Sequence, residues 1–135
     1  MKITTDTNVL LRAVIGDDSV QAGLARAAIS DAKMIVIPIA ALCEFVWVAR
    51  RIYKLERHAI ADAIDVLTAP TKVAVDENAL MAGLTMLRAG GDFADGVIAF
   101  EGRRSGGETF VTFDRKAARR VNAAGYPSRY LPTEH

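Results

Sequence analysis

Short apolar runs alternate along this chain with longer stretches in which apolar residues recur at helical spacing. Lys2 to Thr5 reads as an extended start, and Val9 to Val14 as a short helix ended near Gly16. Asp17 to Asp31 is Ala-rich, with Val20, Leu24, Ala27, Ala28 and Asp31 in helical register. Met34 to Ile37 reads as a buried strand, and Pro38 suits the first position of the helix that follows. That helix, Ile39 to Tyr53, puts Leu42, Phe45, Val46, Ala49 and Ile52 on one face. Glu56 to Leu67 is another helix, with Ile60, Ala63, Ile64 and Leu67 in register, and Pro70 breaks it. Lys72 to Val75 makes a third strand. Asp76 then reads as the cap of a helix over Glu77 to Arg88, stopped by Gly90-Gly91. Asp92 caps Phe93 to Arg104, Thr109 to Thr112 is a fourth strand, and Asp114 caps Arg115 to Ala123. Tyr126 to Leu131 reads as a last strand, confined to an edge by Pro127.

This alternation predicts an α/β fold with a parallel sheet, helices on both faces and right-handed crossovers. No repeat or linker interrupts it, and 135 residues suit one domain over 1–135. Hydrophobic residues make up 51% and charged residues 24%, as in a globular domain. A net charge of +1 predicts no global attraction to nucleic acid, so a polyanion would need a local basic patch. The lone Cys43 excludes an internal disulfide, and beside Glu44 it reads as a small buried hydrophobe. The first residues lack the apolar core of a signal peptide, and no apolar run approaches the ~20 residues that span a bilayer. A cytoplasmic protein away from membranes is the expectation.

Four acids stand at the edges of the apolar runs: Asp6, Glu44, Asp95 and Asp114. Sites in open parallel sheets form beyond the carboxyl ends of the strands, where these positions could converge. Taken singly, Asp6, Asp95 and Asp114 could simply serve helix N-termini, and Asp92 fits that role better still. The roles are compatible, because a helix N-terminus favours the ionised carboxylate that a metal needs. Glu44 sits in a helix that reads as apolar nearly all round, so it is expected to be buried and to need a cation, either Arg50 or Arg51 or a shared metal. Two carboxylates ~5 Å apart at an effective dielectric of ~20 repel by roughly 3 kcal/mol, which a divalent ion would reverse. Oxygen donors select Mg²⁺, with Mn²⁺ substituting. With only His58 and His135 available and no partner for Cys43 at ligand spacing, zinc is not expected.

At these residues the chain resembles PIN-domain ribonucleases, in particular VapC-type toxins of bacterial toxin–antitoxin pairs. The resemblance rests on Ile3-Thr4-Thr5-Asp6-Thr7-Asn8-Val9-Leu10, Ala41-Leu42-Cys43-Glu44-Phe45, Asp92-Phe93-Ala94-Asp95-Gly96-Val97-Ile98-Ala99 and Val111-Thr112-Phe113-Asp114-Arg115. It implies a three-layer α/β/α domain with a parallel five-stranded sheet. It also implies a metal site of Asp6, Glu44, Asp95 and Asp114, supported by Asn8 and Thr112. Gly96 departs from the Ala common in that family, a change expected only to weaken the helix slightly. The implied activity is metal-dependent endoribonuclease cleavage, with activated water opening a phosphodiester to a 3′-hydroxyl and a 5′-phosphate. His58, between apolar helix residues, reads as a surface residue rather than a general base.

RNA has to be held beside those acids. Arg103, Arg104, Arg115, Lys116, Arg119 and Arg120 cluster around the fourth strand and its helix, as phosphate contacts or as an ordinary solvated face. The apolar excess of Ile39 to Leu67 fits a packed core, a homodimer face or a groove for a partner helix. The resemblance implies a cognate antitoxin protein and self-association. The non-enzymatic alternative is a silent PIN-like module that grips RNA or protein. A haloacid-dehalogenase-like phosphatase would need an acid where Asn8 stands, and no Gly-rich loop follows the first strand as a dinucleotide site requires.

Overall fold

The early strands pair in the order in which they are written. In the structure, a computed structural model describing residues 1–132, Lys2–Thr4 (β1) runs parallel to Met34–Val36 (β2), and β2 to Val73–Ala74 (β3). Register sets Ile3 against Ile35 and Ile35 against Val73, so β-branched side chains meet across the sheet. The ladder continues from Thr5 N–H to the Val36 carbonyl (3.0 Å) and from Ile37 N–H to the Ala74 carbonyl (2.9 Å). The connecting helices are Thr7–Ile15 (α1), Ser19–Asp31 (α2), Ile39–Arg51 (α3) and Arg57–Thr68 (α4). These elements form one unit, Met1–Asp76, around Leu10, Ile35, Leu42, Phe45, Ile60 and Ile64. Lys72 Nζ donates to the carbonyls of Ile29 (2.8 Å), Ser30 (3.1 Å) and Ala32 (3.1 Å). It thereby brings a positive charge to the end of α2, whose last turn has none of its own.

Two helix faces differ from the sequence pattern. α2 is capped by Asp18, and it buries Ala22 and Ala25 while Val20 and Leu24 are 71% and 67% exposed. α2 packs on α1, and small alanines allow that approach where larger side chains would hold the helices apart. α3 buries Leu42, Phe45, Val46 and Ala49 as expected, but Glu44 is exposed and Ile52 and Trp47 are 62% and 53% exposed. The expectation of a buried Glu44 in a helix shielded all round is therefore corrected.

The second unit starts at Glu77 and contains Glu77–Arg88 (α5), Phe93–Arg104 (α6), Phe110–Thr112 (β4), Arg115–Ala123 (α7) and Ser128–Tyr130 (β5). β4 and β5 pair in parallel, Phe110 with Ser128 and Thr112 with Tyr130. The single five-stranded sheet is thus replaced by a three-stranded and a two-stranded parallel sheet. Alternating strands and helices predict parallel pairing within βαβ units, but they do not say which strands become neighbours. Pro127 stands just before β5, and its carbonyl accepts from Phe110 N–H (2.9 Å). Met86, Ala99 and Val121 form a core that Phe110 and Tyr126 flank.

α5 and α6 touch through glycine. A Cβ built at Gly83 would lie 2.5 Å from the Phe93 ring, and one at Gly96 only 2.4 Å from the Ala82 carbonyl oxygen. Gly96 is therefore required by backbone packing, and it is more than the mild helix weakener expected from its propensity.

Candidate active site

In the first unit, the turn from β1 into α1 sets the geometry. Asp6 is the N-cap of α1, and its Oδ1 accepts from Val9 N–H at 2.9 Å. This fixes the carboxylate's orientation at the helix end. Thr7, the next residue, donates its hydroxyl to Glu44 Oε2 at 3.1 Å. One cavity of about 380 Å³ is lined by Asp6, Asn8 and Glu44, with Arg12 and Tyr53 on its wall. Arg12 donates to Asp17 and, at 3.3 Å, to the Tyr53 hydroxyl, which itself donates to Asp17 (3.0 Å). Burial works against the charge of Asp17, but the hydrogen bonds from Tyr53 and Arg12 outweigh it and hold the carboxyl below its ordinary range. Neither Thr7 nor this Arg12–Asp17–Tyr53 brace was singled out from the sequence. Thr7 carried a signal, a hydroxyl directly after the capping acid. The brace joins residues far apart in the chain and carried none.

In the second unit, two helix N-termini bring acids together. Asp92 caps α6, accepting from Ala94 N–H at 3.3 Å, and Asp95 follows in the first turn. Asp114 caps α7, accepting from Lys116 and Ala117 N–H at 2.9 and 3.1 Å, and its own N–H donates to Thr112 Oγ1 at 3.0 Å. Asp95 is half-buried, and its carboxyl is pushed up to about 6, first by loss of water and then by the negative charges of Asp92 and Asp114. Asp95 thus lies within electrostatic reach of both capping carboxylates.

The donor set fits a hard divalent cation. The groups are carboxylate oxygens, their orientations are fixed by backbone N–H donors, and the charge around Asp95 is in excess. Within neither unit, among the described residues, do three or more His, Cys, Asp or Glu side chains gather closely enough to hold an ion by themselves. His58 is exposed on α4, His135 lies outside the described residues, and Cys43 forms no disulfide.

The family pattern of PIN domains matches residues 3–123. The chain belongs to the PIN domain family. No curated protein is similar enough in sequence to match it. PIN domains are in general metal-dependent nucleases, so membership gives this chain a nuclease-like α/β fold. The match runs through α1, α3, α6 and α7, the elements that carry or are capped by Asp6, Glu44, Asp95 and Asp114 in this PIN domain.

The basic residues have unequal surroundings. Arg103 lies over the Tyr126 ring at 5.8 Å and Arg104 over Phe100 at 4.9 Å. Arg115 lies over Tyr130 at 4.9 Å. Lys116, Arg119 and Arg120 line a groove of about 370 Å³. No helix among the described residues is long and apolar enough to cross a membrane.

Proposed function

We propose that this PIN domain is an endoribonuclease dependent on Mg²⁺, with Mn²⁺ substituting, and that it acts as the toxin of a toxin–antitoxin pair. Asp6, Glu44, Asp95 and Asp114 are the proposed ligands of the cation, with Asn8, Thr112 and Asp92 supporting them. The observation that carries this reading is Asp95, a half-buried carboxyl pushed up to about 6 by burial and then by the charges of Asp92 and Asp114, in a family whose members are generally metal-dependent nucleases. An isolated capping acid would be ionised and solvated, and would have no such conflict.

A bound divalent ion supplies charge neutralisation at the phosphate and lowers the pKa of nearby water. The chain's own groups prepare for it. Asp6 and Asp114 are oriented by backbone N–H groups at the starts of α1 and α7. Thr7 fixes one oxygen of Glu44 by donating its hydroxyl to Oε2. Thr112 takes the Asp114 N–H and so sets the turn that aims the carboxylate. Basic residues near β4 and α7 hold the RNA backbone. The family match crosses from the first unit into the second, which supports treating residues 1–135 as one working domain. The exposed Trp47 on α3 and Ile52 at its C-cap support a protein-binding face, for a second copy or for an antitoxin, in a cytoplasmic setting.

The test is RNA cleavage with Mn²⁺ against cleavage in EDTA. Asp6→Asn, Glu44→Gln, Asp95→Asn and Asp114→Asn are each expected to lower the rate by about 100-fold or more while the protein stays folded. Near-wild-type cleavage by any two of them removes the shared-site reading. Binding of RNA with no cleavage by the wild type would leave a silent binding module instead.

A further inference from the structure

Arg12 lines the same cleft as two of the proposed metal ligands, yet among the described residues it pairs with neither. In the first unit, α1 gives Asn8, Leu11 and Arg12 to the cleft, and α3 gives Glu44 and Val48, followed by Ile52 at its C-cap. These residues recur every three or four positions, so each set forms one stripe. Thr7 holds Glu44 near the start of α1, and Arg12 meets Tyr53 near its end. From Thr7 to Arg12 is about 7.5 Å along the helix at 1.5 Å per residue. Helical side chains lean toward the N-terminus, which for Arg12 is the direction of Thr7 and Glu44.

Asp17 draws Arg12 the other way. Gly16 ends α1 in a left-handed turn (φ 67°) that suits glycine, and Asp17 follows it. Arg12 donates to Asp17 Oδ1, and Tyr53 donates to Oδ2 of the same carboxylate at 3.0 Å. A cation in the last turn of a helix is favoured in itself, so Arg12 could stand there without an acid. Its pose is incompletely satisfied, however. Arg12 Nε is buried and, among the described residues, has no hydrogen-bond partner. A buried donor without an acceptor is unfavourable, and the carboxylates in the same cleft are strong acceptors for a guanidinium. An arginine on Glu44 or Asp6 would neutralise groups that a divalent ion needs charged.

We propose that Asp17 is a positioning residue for the metal site: by engaging Arg12 it keeps that guanidinium off Glu44 and Asp6 and leaves the cleft open to a divalent cation. This rests on the metal-site reading and adds to it a residue outside the four acids. The Tyr53 hydroxyl occupies one oxygen of Asp17 and so directs the other at Arg12. Asp17 acts only through Arg12, so its loss does harm only while Arg12 is present.

The experiment titrates Mn²⁺ calorimetrically into the full protein at neutral pH. It compares the wild type, Asp17→Asn, Arg12→Met and Arg12→Met/Asp17→Asn. Asn keeps the shape of Asp17 and an oxygen for Tyr53, at a position that is 45% exposed, so the fold is expected to survive. Asp17→Asn should weaken Mn²⁺ binding about tenfold, the effect of a unit charge ~6 Å from a divalent ion at a dielectric of ~80. Arg12→Met should restore the affinity of Asp17→Asn to within about threefold of wild type, and alone should change it by less than that. A merely structural role of Asp17 would not be rescued by removing a second side chain. Asp31→Asn, which removes an acid from an exposed position of the same unit, should bind as the wild type does. A crystal of Asp17→Asn grown in EDTA should show the Arg12 guanidinium on Glu44 or Asp6. Wild-type affinity in Asp17→Asn, an equal loss in Asp31→Asn, the same effect of Arg12→Met with and without Asp17, or an unmoved guanidinium overturns the proposal while the metal site stands. A wild type that binds no Mn²⁺ overturns the metal-site reading, and the role of Asp17 with it.

Discussion

Asp95 is folded at odds with its own charge. Its carboxyl, ordinarily near 3.8, is pushed up to about 6 by burial and by Asp92 and Asp114. An acid raised in the fold holds its proton more tightly folded than unfolded, so its contribution favours folding at low pH. That contribution is complete below about 3.8 and is lost as pH rises through about 6. Without divalent ions, wild-type stability is therefore expected to decline over this window relative to Asp95→Asn, as denaturant titrations in EDTA would register. Parallel pH profiles for the two proteins would show that Asp95 is not in conflict with its neighbours. Thr7 makes a second prediction at this scale. Thr7→Val removes the hydroxyl that orients Glu44 and should weaken Mn²⁺ binding by about tenfold with little change in melting temperature. Unchanged Mn²⁺ affinity would make that bond incidental. Asp6, Asp95 and Asp114 could be picked out as candidates because each stands where a strand ends or a helix begins. The exposure of Glu44 could not be read, since apolar neighbours along a helix do not show which face the fold covers.

The helices show where sequence pattern succeeds and where packing takes over. The caps at Asp92 and Asp114 could be read directly, because a short acid before an apolar helix satisfies orphan N–H groups locally. The face of α2 could not. Val20 and Leu24 look like an inner face, yet contact with α1 selects Ala22 and Ala25. Loss of the α2 cap in Asp18→Ala should cost about 1 kcal/mol, whereas Val20→Ala should cost little because that side chain is exposed. The reverse order would mean that the face is misassigned. Gly96 is the sharper case. Its would-be Cβ meets the Ala82 carbonyl, so Gly96→Ala should destabilise by about 1–3 kcal/mol despite the better helix propensity of alanine. A stabilising effect would show that α5 and α6 are held less closely. The strands were each placed by their apolar runs, but their division into two sheets was not, because pairing partners are set by tertiary contacts.

For the molecule as a whole, a net charge of +1 conceals strong local segregation. Acids gather at the start of α6 and α7, and unpaired cations continue along α7. A protein selected for stability alone would neutralise one with the other. Here the acids and the cations both remain available to ligands of opposite charge, which is the arrangement a metal-dependent enzyme acting on a polyanion requires. The central claim is that Asp6, Glu44, Asp95 and Asp114 serve one cation, and calorimetric titration of Mn²⁺ at neutral pH into the wild type, Asp6→Asn and Asp95→Asn tests it most directly. Each substitution is predicted to weaken the same binding event by at least about tenfold. Wild-type Mn²⁺ affinity in Asp6→Asn, alongside its loss in Asp95→Asn, would contradict it.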